Sequence, residues 1–180
     1  MTSLWMLPLA LMGCGDNDGD SDAAAELGCF AEEPSIRIGS GESTFEDVAT
    51  GDGLTMVHGP QGGWHMLASI WAENVDQIVE IEFTITVKST GAVVSDNSYR
   101  VALVTDGECA GYFPGMYGYL SVGDIADGEL DTPPELLSYE TMVFAMTVTD
   151  AEGRTASTEL EVLAEPDPVD VVSSDSGTPG

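Results

Sequence analysis

Val79-Glu80-Ile81-Glu82-Phe83-Thr84-Ile85-Thr86-Val87-Lys88 carries an apolar residue at every odd position and a polar one at every even position. A period of two gathers the apolar side chains on one face of an extended chain, as a strand buried on one side requires. Tyr99, Val101 and Leu103 alternate in the same way. Met142 to Thr149 is a nearly continuous apolar and β-branched run. After it, Ala156, Thr158, Leu160 and Val162 oppose Thr155, Ser157, Glu159 and Glu161. Between these two segments Thr149-Asp-Ala-Glu-Gly-Arg154 has turn chemistry, with Gly153 placed to take a positive φ in a short hairpin. Ser35 to Ile38, Leu54 to His58 and Trp64 to Trp71 are further strand candidates, and no segment shows a 3.6-residue period. Short strands at this spacing, punctuated by Gly, Asp and Pro, predict an all-β, antiparallel β-sandwich.

The chain has 180 residues, with 32 Asp plus Glu against 4 Lys plus Arg, a formal charge of −28. Binding to nucleic acid depends on Lys and Arg displacing phosphate counterions, so no nucleic-acid partner is expected. The same shortage of cations argues against polyphosphate substrates and against a basic patch on anionic lipid. A hydrophobic content of 43% is ordinary for a folded domain. One very acidic folded unit is expected, spanning residues 29–164.

The flanks differ in composition. Leu4 to Met12 is a short apolar run, far below the ~20 residues of a membrane-spanning helix but suited to the apolar region of a signal peptide. It leads into Leu11-Met12-Gly13-Cys14 and then into Gly15-Asp-Asn-Asp-Gly-Asp-Ser-Asp22. This arrangement resembles a bacterial lipoprotein signal: Leu three positions before Cys, a small residue just before it, and a polar stretch after. The resemblance implies removal of residues 1–13, acylation of Cys14 and attachment to a membrane of the cell envelope, with residues 14–28 as an acidic flexible tether. The departure from the pattern is the lack of Lys or Arg ahead of the apolar run. Either the amine of Met1 serves alone or the true start lies upstream. A plain cleaved signal with an incidental Cys14 is the competing reading. At the other end, residues 165–180 hold closely spaced prolines and only a few valines, and a disordered tail is expected there.

Three cysteines leave one over in an exported protein. With Cys14 acylated, Cys29 and Cys109 remain to pair in an oxidising compartment. They would close a loop for which the chain-entropy estimate is about 4 kcal/mol. Two separate buried thiols are the alternative.

Two further stretches carry a resemblance. Phe144-Ala-Met-Thr-Val-Thr-Asp-Ala-Glu-Gly-Arg-Thr-Ala-Ser157 is similar to the closing hairpin of bacterial immunoglobulin-like modules. Gly39-Ser-Gly-Glu-Ser-Thr-Phe45, Gly51-Asp-Gly-Leu54 and Gly59-Pro-Gln-Gly-Gly-Trp-His65 resemble envelope lipoproteins of myxobacteria and their relatives. The resemblance spans most of Gly39 to Val162. It implies an immunoglobulin-like form of the sandwich and an exported, envelope location, periplasmic or at the cell surface. It implies no activity.

Enzyme signatures are lacking: there is no Gly-x-Ser-x-Gly elbow, phosphate loop or His-Glu-x-x-His. A non-catalytic binding or structural module is expected, with an envelope protein or a glycan as partner. Cys109-Ala-Gly-Tyr-Phe-Pro-Gly-Met-Tyr-Gly-Tyr119 reads as an aromatic, glycine-rich loop. Tyr112, Phe113, Tyr117 and Tyr119 either form a contact surface there or cap the sandwich. Trp64 and His65 beside the Gly59–Gly63 turn are further contact candidates, against a simple packing role. No resident cofactor is expected. The alternative function is calcium-dependent adhesion or carbohydrate binding, with Asp124, Asp127, Glu129 and Asp131, or Asp150 and Glu152, gathering carboxylate oxygens at one end of the sandwich. The acids Asp16, Asp18, Asp20 and Asp22 lack the later glycine and glutamate that a calcium loop needs, and read as a solvated tether.

Overall fold

A computed structural model describes residues 30, 32–59, 62–126 and 132–168. Residues 1–29, on which the expected signal, tether, Cys14 and Cys29 fall, and residues 169–180 lie outside them. The described chain is all-β apart from one short helix: β1 (Ser35–Ser40), β2 (Glu46–Asp47), β3 (Gly53–His58), β4 (Trp64–Glu73), β5 (Ile78–Val87), β6 (Val93–Ala102), β7 (Val104–Thr105), β8 (Ala110–Leu120), α1 (Pro133–Leu137), β9 (Thr141–Asp150) and β10 (Thr155–Pro166).

The alternation in β5 has the expected consequence. Val79, Ile81, Phe83, Ile85 and Val87 are all buried, while the residues between them face outward or lie half-covered. β5 pairs antiparallel with β6 on one side and β9 on the other, and β9 turns back into β10. In β9 the even residues Met142, Phe144, Met146 and Val148 enter the same core, with Phe83 and Phe144 in edge contact at 5.3 Å. The β9–β10 turn has Gly153 at φ 77°.

The other half of the sheet is built on β4. It lies between β1 and β8, and the two-residue strands β2 and β7 extend the outer edges. β3 joins the halves. Its first part, Gly53 to Met56, runs beside Leu163 to Pro166 of β10, and its last two residues pair with His65 and Trp64 of β4. The whole is therefore one ten-stranded sheet, curled so that its halves face each other. A Cβ added at Gly118 of β8 would stand 2.3 Å from Ile85 Cδ1 of β5, so the two layers meet closely there.

Several expectations differ from the structure. The pairing is not wholly antiparallel, because β3 and β10 run parallel. The tight Gly59–Gly63 turn folds β3 back onto β4 and fixes its direction (Gly59 N donates to Gly63 O at 2.9 Å), and that direction matches β10. The stretch from Ala110 to Leu120 is a strand rather than a loop, paired along β4. A short helix, α1, also escapes a search for period, since five residues cover little more than one turn. The Glu135 carboxylate accepts from the Thr132 amide (2.8 Å) and hydroxyl (2.9 Å) at its start, and Leu137 is buried in the core. At the far end, β10 continues to Pro166, two residues past Ala164, because Glu165 and Pro166 lie beside Thr55 and Met56.

Candidate functional site

Strand alternation in β4 sends Met66, Ala68, Ile70 and Ala72 into the core and His65, Leu67, Ser69 and Trp71 to the outer face. In β8 the alternation slips. Phe113 pairs with Ile70 and packs on the core, and the next inward residue is Met116 rather than Pro114 or Gly115. One extra residue is accommodated here as a β-bulge, with Gly115 at φ 68°. Beyond the bulge Met116, Gly118 and Leu120 face inward, and Tyr117 and Tyr119 face out.

The loop after β1 crosses the middle of this outer face. Gly41 O accepts from the Ser69 hydroxyl and from the Gly115 amide, each at 2.9 Å, and a Cβ at Gly115 would meet Glu42 O at 2.7 Å. The crossing buries Ser69 and divides the aromatic residues into two groups.

One group is Phe45, Trp71 and Tyr112 with Arg37. Trp71 lies parallel to Tyr112 (centroids 6.2 Å, planes 8° apart) and edge-on to Phe45 (5.7 Å). The Arg37 guanidinium carbon is 5.3 Å from both the Phe45 and the Trp71 rings, and it forms an ion pair with Asp47. In this group the Arg37 cation meets the Asp47 carboxylate and two of the three rings.

The second group is His65, Tyr117 and Tyr119. The two tyrosine rings stack with centroids 5.8 Å apart and planes at 19°, and His65 meets Tyr117 edge-on at 4.7 Å. Tyr117 is 38% exposed and Tyr119 61%, whereas His65 is buried. Burial pushes the His65 imidazole below its usual value, so it stays neutral to lower pH. Tyr99, reaching across from β6, donates its hydroxyl to Tyr117 O at 2.6 Å and holds the base of the group. Two exposed rings on a rigid, paired strand give contact area with little entropy left to lose.

The six contact candidates read from the sequence therefore separate. His65, Tyr117 and Tyr119 come together and Tyr112 joins the other group. Phe113 turns inward, and Trp64 packs partly on the core with its ring stacked on His58 at 4.7 Å. Trp71, Phe45, Arg37 and Tyr99 were not anticipated. Arg37 carried a signal, being one of four cations in the chain.

Of the carboxylates named for calcium, Asp150, Glu152 and Asp124 are described. Asp150 is a hairpin lock: its buried carboxylate accepts from the amides of Glu152 (3.0 Å) and Arg154 (2.9 Å) and forms an ion pair with the Arg154 guanidinium at 2.6 Å. Burial alone would raise its pKa, but those bonds and the Arg154 charge outweigh it and hold the carboxyl below its usual value. Glu152 is exposed in the turn, and its amide rather than its carboxylate meets Asp150. Asp124 is exposed, and Asp127, Glu129 and Asp131 lie outside the described residues. Among the described residues no group of three His, Cys, Asp or Glu is arranged to hold an ion.

Cys109 sits at the start of β8, at φ 64°, on a cleft of about 220 Å³ lined also by Phe30, Val75, Gln77 and Leu103. The Phe30 ring lies 4.2 Å from the Arg154 guanidinium carbon. The chain just past position 29 is thus held against the same end of the molecule as Cys109.

No protein family matches the chain, and no curated protein matches it significantly. Among solved structures it is similar to the CooA pilin subunit from enterotoxigenic Escherichia coli, at 10% identity and a TM-score of 0.36, over 76% of this chain and 100% of that one.

Proposed function

We propose that this chain is a lipid-anchored protein of the bacterial cell envelope whose immunoglobulin-like sandwich is a non-catalytic binding module. The observation that carries the binding reading is the Tyr117–Tyr119 pair, stacked and exposed on a strand fixed on one side by β4. Flat aromatic faces of this kind suit the apolar face of a sugar ring or an apolar side chain of an envelope protein. The immunoglobulin-like reading is supported by the β9–β10 hairpin and by two facing halves around one core. Anchoring rests on Leu11-Met-Gly-Cys14. The Cys29–Cys109 bridge is supported by Phe30 and Cys109 sharing one cleft, and by a Cys109 side chain that is engaged rather than free.

Anchor and bridge are tested together by intact mass. Protein extracted from a lipoprotein-processing bacterial host should begin at Cys14, carry a diacylglycerol and an acyl chain, and gain two daltons on reduction. An unlipidated mature form would refute the anchor. The contact surface is tested by titrating envelope glycan fragments and envelope extracts against the wild type and Tyr119→Ser. Binding should fall by about tenfold or more in the variant, and equal binding by both would remove these tyrosines from the role.

A further inference from the structure

Four residues, Arg37, Lys88, Arg100 and Arg154, supply all the Lys and Arg of this chain. Three of them form ion pairs, with Asp47, Glu161 and Asp150 respectively. Arg100 forms none among the described residues, although Glu80 is its cross-strand neighbour on β5. An unpaired cation is unexpected in a molecule with 32 acids, and its position is informative.

Arg100 lies on β6, the end strand of its half of the sheet. The Leu103 amide donates to Gln77 O at 2.7 Å, and Val101, Tyr99 and Asn97 stand opposite Val79, Ile81 and Phe83. By the alternation of antiparallel ladders, the odd residues of β6 therefore bond to β5, and the even residues direct their amides and carbonyls away from it. At one end of the strand Val94 O accepts from the Ser121 amide (2.8 Å). Asp96, Ser98 and Arg100 have no backbone partner along this edge among the described residues, and all three side chains are exposed.

Asp96 and Arg100 stand two residues either side of Ser98. If a second β6 pairs antiparallel about a two-fold axis at Ser98, Ser98 faces Ser98. Asp96 of each copy then lies directly opposite Arg100 of the other, on the same face of the extended sheet. We propose that β6 is a homodimer edge in this register, the partner being a second copy of this chain. The contact is isologous and uses each edge once, so it closes at two chains. It employs the outward backbone groups of Asp96, Ser98 and Arg100, and gives the unpaired Arg100 a carboxylate. Three residue pairs make a small interface, and the net charge of −28 opposes association, so the dimer is a weak one.

The test is sedimentation equilibrium on the full chain bearing Cys14→Ser, which excludes acylation and keeps the outcome independent of the lipid-anchor reading. A monomer–dimer equilibrium is expected between about 10 μM and about 1 mM. Asp96→Arg and Arg100→Asp should each weaken it by about tenfold, and the double exchange should return it to within about threefold of the parent. The single changes move the net charge in opposite directions, so non-specific repulsion would make Asp96→Arg dimerise more strongly. Ser98→Cys should oxidise to a covalent dimer much faster than Ser157→Cys, an exposed control on β10. A monomer throughout the range, a double exchange no better than the singles, or equal cross-linking at positions 98 and 157 would each overturn the proposal.

Discussion

Gly118 is a residue at which packing between the two layers leaves no room for a side chain. Its missing side chain lets β8 approach β5 until an added methyl would lie 2.3 Å from Ile85 Cδ1 and 3.1 Å from Phe83 Cε1. Gly118→Ala should therefore destabilise the fold by about 1–3 kcal/mol through overpacking. Ile85→Val removes the obstructing methyl, so the double variant should be less destabilised than the sum of the singles. Additive losses in urea melts would count against this contact. His65 offers a test with pH. Its folded pKa lies below the unfolded 6.5 because burial disfavours the cation. The neutral ring's contribution is complete above 6.5 and is lost as pH falls toward the folded value. Between pH 7.5 and 5.5 the wild type should lose more stability than His65→Gln; parallel pH profiles would refute it. His65 is adjacent to Trp64 in sequence, but its tyrosine neighbours come from β8, more than fifty positions away.

At the scale of the element, the β9–β10 hairpin and β8 make opposite cases. The hairpin was readable because apolar alternation, an Asp and a Gly all fall at the positions that a short turn requires. What the reading lacked was Arg154 closing on Asp150, which makes the turn a locked ion pair. Asp150→Asn leaves the guanidinium facing a neutral side chain and should cost about 2 kcal/mol at pH 7. Because the Asp150 pKa is lowered in the fold, its contribution is present above 3.8, the ordinary value, and is lost as pH falls through the folded one. A difference between wild type and variant that persists at pH 2 would argue against an ionic origin. β8 was not readable. Gly111, Pro114, Gly115 and Gly118 are residues that strands usually avoid, and the bulge at Pro114–Gly115 changes which parity faces inward. A pattern search sees neither alternation nor propensity there, although β4 pairs along the strand on both sides of the bulge.

For the whole molecule, charge is the dominant fact. With −28 on one chain, the folded state is opposed by its own repulsion, acting over a Debye length of about 30 Å at 0.01 M salt and about 10 Å at 0.1 M. The melting temperature should rise by several degrees between these two salt concentrations, and a constant or falling value would show that repulsion is minor. Composition and period were enough to establish an acidic, all-β chain with β5, β9 and β10 lining a core, because burial of alternate side chains is a local property of a strand. They could not show that β3 changes partners between Met56 and Val57, or that the loop after β1 covers Ser69 and separates two aromatic groups. Nor could they show that Asp150 is engaged by Arg154, or that Arg100 alone among the cations stands on an open edge. The Asp150–Arg154 contact is local but depends on the exact path of the turn; the others depend on which strands become neighbours, and those are chosen by packing between distant parts of the chain.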